Sequence, residues 1–112
     1  MSFTLSNKEG VLFVELKESL TQDRLPYFAV HLIQEIEKRN EQSIALLMSN
    51  QTQLDAGGVS FILHLFKDLQ EKNRPIALVD CQEPIRSLLQ LCKLDQILTQ
   101  IRTPDEAIDF LR

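Results

Sequence analysis

A chain of 112 residues with 44% hydrophobic content has material for one hydrophobic core but not for two. Its formal net charge is −4, and its lysines and arginines are scattered, unlike the clustered basic footprint of a nucleic-acid binder. The start, Met1 to Gly10, is polar with no apolar signal region, and no apolar run is long enough to cross a bilayer. The expectation is one cytoplasmic domain over residues 1–112, peripheral to a membrane only through a partner. Cys81 and Cys92 are too far apart for a C-x-x-C pair. In an unexported domain they are expected to be reduced and buried or half-buried.

Phe3 to Ser6 and Val11 to Leu16 are short apolar segments separated by Asn7-Lys8-Glu9-Gly10, a spacing that predicts a β-hairpin. Leu25, Phe28, Ala29, Leu32 and Ile36 then recur at helical spacing, with His31, Gln34, Glu35 and Lys38 opposite. Asp23 as N-cap would place Pro26 in the first turn, where its missing N–H costs nothing. Ser43 to Ser49 encloses the run Ile44-Ala45-Leu46-Leu47-Met48, expected for a strand buried on both faces. A second helix is predicted from about Gly57 to Lys72, and a second buried strand over Ile76–Val79. Pro84 opens a third helix with Ile85, Leu88, Leu89 and Cys92 on one face. A short edge strand is expected within Asp95–Ile101. Thr103-Pro104-Asp105-Glu106 has the form of a capping box, with Ala107, Ile108 and Leu111 as the face to bury. Helices alternating with buried strands predict an α/β fold, a mixed sheet of four or five strands packed against about four helices.

The sequence shows no constellation of acid, base and nucleophile. His31 and His64 each have a carboxylate four residues on, Glu35 and Asp68, pairs most simply explained as local surface contacts. No metal-ligand motif or P-loop occurs, so neither catalytic residues nor a metal or other cofactor are expected. Asp55-Ala56-Gly57-Gly58 has two glycines at a helix start, which suits a phosphate but lacks the lysine of a P-loop. It equally suits plain architecture, with Asp55 capping the helix and the glycines letting its start approach the sheet.

The order of elements, together with this loop, resembles the STAS domain family of bacterial anti-sigma-factor antagonists. Further likeness lies in Ile85-x-x-Leu88-Leu89, in Leu94-Asp95-x-Ile97-Leu98 and in Pro104-Asp105-Glu106-Ala107-Ile108. The resemblance implies a non-enzymatic module that binds an anti-sigma factor kinase. In that family the loop usually reads Asp-Ser-Ser-Gly or Asp-Ser-Thr-Gly, and its second hydroxyl residue accepts phosphate. Here that position is Gly57, preceded by Ala56, so no phosphorylation is expected there; Ser60 and Thr52 are the nearby hydroxyls. The STAS subunit of the Mla phospholipid-transport system is also similar. It has an Asp-Thr-Gly-Gly loop, a comparable Gln22-Asp23-x-Leu25, and a helix like Leu63-His64-Leu65, which implies an ABC ATPase as the alternative partner.

At ~100° per residue, Ile62, Phe66 and Leu69 mark the buried centre of the second helix. Phe61 and Leu63 fall at opposite edges of a wider apolar arc. Either neighbouring elements cover both edges, or one edge joins Asp55, Ala56, Gly57 and Gly58 in a partner-docking patch. Tyr27, off the apolar face of the first helix, has the same standing. A carboxylate at Gly57 is expected to abolish docking at little cost in stability.

Overall fold

The computed structural model describes residues 2–112, so Met1 lies outside the described residues. Strands β1 (Phe3–Lys8) and β2 (Val11–Leu16) pair antiparallel from Phe3↔Leu16 to Lys8↔Val11. The turn is shorter than predicted. Only Glu9 and Gly10 form it, at φ 52° and 87°, because two successive positive-φ residues match the twist of the flanking strands. Asn7 and Lys8 therefore stay in the ladder, and the Asn7 Oδ1 accepts from the Gly10 N–H at 3.2 Å.

The first helix does not begin at Asp23. Leu25–Tyr27 form one 3-10 turn, and α1 runs over Ala29–Lys38 with Phe28 at its N-cap position. The Asp23 carboxylate instead accepts the Thr21 hydroxyl at 2.6 Å. Phe28 breaks the helix with φ −146° and is buried in the core, while its carbonyl accepts from Leu32 N at 2.8 Å. The anchored Phe28 ring, rather than a carboxylate cap, thus fixes where the regular helix starts.

The remaining elements are β3 (Ser43–Leu47), α2 (Ala56–Glu71), β4 (Ile76–Val79), α3 (Glu83–Leu91), β5 (Gln100–Ile101) and α4 (Pro104–Leu111). The sheet order is β1-β2-β3-β4-β5; only the first pair is antiparallel. This is the expected α/β architecture, with five strands and four α-helices. Strand alternation sends alternate residues to opposite faces. Leu12, Val14, Ile44, Leu46 and Leu78 meet Leu32 and Ile36 of α1, Ile62 and Phe66 of α2, and Ile85 and Leu89 of α3. Val11, Phe13, Ala45, Ala77 and Val79 meet Ala107, Ile108 and Leu111 of α4. Thr103 caps α4 as expected, accepting from Glu106 N at 3.1 Å. The Ser43 hydroxyl donates to the Leu111 carbonyl at 2.7 Å and ties down the far end of α4.

The two cysteines divide. Cys81 is half-buried, and burial pushes its thiol up to about 11. Cys92 is exposed, contrary to expectation. It follows the last residue of α3, and Lys93 next to it is left-handed at φ 61°, so the chain turns away before the thiol reaches the core.

Candidate functional site

The site lies where the chain leaves the carboxyl ends of β2 and β3, the usual location of binding surfaces on such sheets. Asp55 caps α2: its Oδ1 accepts from Gly58 N at 2.9 Å. The same carboxylate accepts from Gln22 N at 2.9 and 3.2 Å, so it joins the segment after β2 to the helix start. These bonds, Gln22 first and then Gly58, hold the Asp55 carboxyl below its ordinary range.

Both glycines are required for close approach, not for an unusual φ; Gly10 is the only positive-φ glycine among the described residues. A Cβ on Gly58 would stand 1.9 Å from the Leu20 carbonyl oxygen and 2.7 Å from Leu54 Cδ1. One on Gly57 would meet Gln22 Cβ at 2.9 Å and its Cα at 3.1 Å. The neighbour is thus the Leu20–Gln22 segment, where the sequence pointed to the sheet. Leu20 and Leu54 form a parallel bridge that draws the two segments together. The expectation that a side chain at Gly57 costs little stability does not survive this contact.

Asp55, Ala56 and Leu63 line one cleft of about 560 Å³ between α2 and α3, with Leu54, Val59 and Leu88. Phe61 lies on the opposite side of α2, in a cleft of about 410 Å³ against Ile33 of α1. Both residues are half-buried and packed against the core. Tyr27 belongs to the 3-10 turn, is 76% exposed, and has the Arg24 guanidinium 5.2 Å from its ring centroid. The predicted residues are therefore brought together only in part: Asp55, Ala56 and Leu63 share a cleft, Gly57 and buried Gly58 face Leu20–Gln22 instead, and Phe61 and Tyr27 stand apart. Thr52 and Ser60 are exposed. Ser60 Oγ is 3.4 Å from His64 Nδ1, while Asp68, the partner expected for His64, accepts from Lys72 at 3.1 Å. His31 does approach Glu35, at 3.8 Å.

Gln51 is the residue that sequence reasoning missed. It sits in a polar loop with no periodicity to mark it as buried. Gln22 stood out in the sequence only through the Mla resemblance, because an exposed polar residue has no hydropathy signature. Among the described residues, no three His, Cys, Asp or Glu side chains converge to hold a metal. What the arrangement offers is a shaped surface.

Asp55 also yields a pH prediction. A carboxyl whose folded-state pKa lies below its unfolded value stabilises the fold above about pH 4, and loses that contribution as pH falls through the folded value. Thermal melts between pH 6 and 2.5 should show the wild-type advantage over Asp55→Ala shrinking as acid is added. A constant difference across that range would remove the carboxylate from the cap.

The fold is thus a five-stranded mixed sheet with an aspartate-capped loop at the start of α2. The STAS domain family model matches residues 2–107, and the chain belongs to that family. It is similar to an anti-sigma F factor antagonist of Paenibacillus polymyxa, 24% identical over 98 residues covering 88% of this chain and 84% of that one. Its fold is similar to that of an anti-sigma factor antagonist from Mycobacterium paratuberculosis, with TM-score 0.84 and 17% identity over 98% of this chain and 92% of that one. The Bacillus cell fate determinant SpoIIAA in its phosphorylated form also shares it, with TM-score 0.69 and 19% identity over 98% and 99%. No helix among the described residues is long and apolar enough to cross a membrane.

Proposed function

We propose that this chain is a non-enzymatic interaction module of the anti-sigma-factor-antagonist kind, whose docking is not switched by phosphate at the α2 loop. The docking surface is the loop Asp55–Gly58 with Leu63, with Phe61 and Tyr27 outside it, and the partner is an anti-sigma factor kinase. One observation carries this. Neither Ala56 nor Gly57 has a hydroxyl, and Gln22 Cβ stands 2.9 Å from where a Cβ at Gly57 would be. A side chain able to carry phosphate at that position would have to push Gln22 aside.

The test pairs a titration with intact mass spectrometry. The purified chain is titrated with an anti-sigma factor kinase encoded in the same genome, then incubated with it and ATP. The expected result is a saturable complex and an unchanged mass. A stoichiometric phosphate gain would remove the phosphorylation-independent part. Failure to bind the kinase, with stoichiometric binding of an ABC ATPase, would move the chain to the transport-accessory branch.

A further inference from the structure

Gln51 is buried, 1% exposed, and is the most deeply covered polar side chain among the described residues. Both ends of its amide are used. Oε1 accepts from Leu20 N at 2.9 Å, and Nε2 donates to the Glu18 carbonyl at 2.8 Å. In a parallel ladder, the N–H and C=O of one residue bond the C=O and the N–H that flank a single residue on its neighbour. Glu18 C=O and Leu20 N–H flank Ser19 in that way, so the side chain stands in for a strand that is not there. Four residues on, Asp55 takes a second donor of the same segment, Gln22 N.

We propose that Gln51 is a positioning residue for the docking surface: with Asp55 it latches Glu18–Gln22 as a fixed lid across the start of α2. The lid carries Gln22 directly over Gly57, and the Gln22 side chain is exposed. A partner approaching the loop therefore meets Gln22 and Asp23 in one fixed arrangement, with no segment left to order on binding. An apolar side chain at position 51 would leave a buried donor, Leu20 N, and a half-buried acceptor, the Glu18 carbonyl, unpaired. The lid's role in recognition rests on the docking surface proposed above, whereas the latch itself can be measured with no partner present.

Backbone hydrogen exchange by NMR on the wild type, Gln51→Met and Asp55→Ala tests it. In the wild type, Leu20 and Gln22 amides should exchange at least ~100-fold more slowly than those of exposed Thr52 and Gln53. Gln51→Met should speed Leu20 by tenfold or more and by clearly more than Leu46, and Asp55→Ala should speed Gln22 and Gly58, the two amides its carboxylate accepts from, above the rest. Loop-like rates in the wild type, or unchanged lid rates in the variants, would overturn the latch. Uniform acceleration throughout the chain would overturn it too, by making Gln51 a general stability residue. If Gln51→Met does not fold, the wild-type rates and the selectivity of Asp55→Ala decide. In the kinase titration, a folded Gln51→Met should bind at least tenfold more weakly. Unchanged affinity would overturn the lid's role in recognition, while a wild type that binds no kinase would refute the proposed function and leave the latch standing.

Discussion

Leu46→Asp is expected to abolish the cooperative melt. Leu46 is fully buried in β3, between Val14 of β2 and Leu78 of β4, and faces the core under α1–α3. A carboxylate there has neither water nor a cation to meet. It must either remain charged in an apolar interior or take up a proton and still lack hydrogen-bond partners. Such substitutions cost on the order of 4–5 kcal/mol or more, against total stabilities of about 5–15 kcal/mol for domains. Circular dichroism during a thermal ramp is the measurement. A normal sigmoidal transition would place β3 elsewhere than at the centre of the sheet.

Gly58→Ala should be the second most damaging single change, and worse than Gly57→Ala. At Gly58 the new methyl would meet the backbone oxygen of Leu20 at 1.9 Å. A backbone atom held in a β-bridge and flanked by latched residues cannot rotate away as a side-chain tip can. The cost should reach or pass the ~3 kcal/mol upper range of ordinary overpacking. At Gly57 the overlap is smaller, with Gln22 Cβ at 2.9 Å and its Cα at 3.1 Å, although the held Gln22 backbone must still move to relieve it. That cost should stay nearer ~1 kcal/mol, the low end of the same range. Urea titrations of both variants give the comparison, and equal destabilisation would mean that the lid yields as a unit. Gly57→Asp therefore tests docking cleanly only if its midpoint is reported beside that of Gly57→Ala.

The elements most legible in the sequence were those whose local and global demands agree. Ile44–Met48 and Ile76–Val79 read as buried strands because both faces of the sheet are covered, so every position needs an apolar side chain. Thr103-Pro104-x-Glu106 marked the start of α4 because the capping atoms all come from adjacent residues. Asp23 misled because a good N-cap residue next to a well-placed proline is a local signal, whereas α1 starts where the core takes up the Phe28 ring. The hairpin turn is shorter than the sequence suggests because polar Asn7 and Lys8 can sit on an exposed strand as easily as in a loop. In the candidate site, the Asp55 cap was legible from spacing alone. The contact that makes Gly57 and Gly58 obligatory was not, since it joins them to residues some 35 positions earlier in the chain. Gln51 was hidden for the same reason: its value depends on backbone groups that no neighbouring residue reveals.

The covering of the second sheet face by one short helix has a consequence for biosynthesis. All five strands precede α4 in the chain, so they leave the ribosome before the segment that shields Val11, Phe13, Ala45, Ala77 and Val79. For that interval a nascent sheet shows water a flat apolar face with nothing to cover it, the kind of surface on which chaperones act and aggregates begin. Ala45, Ala77 and Ala107 keep that face shallow at its middle, so α4 can settle close against the sheet once Pro104–Leu111 have emerged. Docking of this last helix, sealed by the Ser43 hydroxyl on the Leu111 carbonyl, then completes the fold.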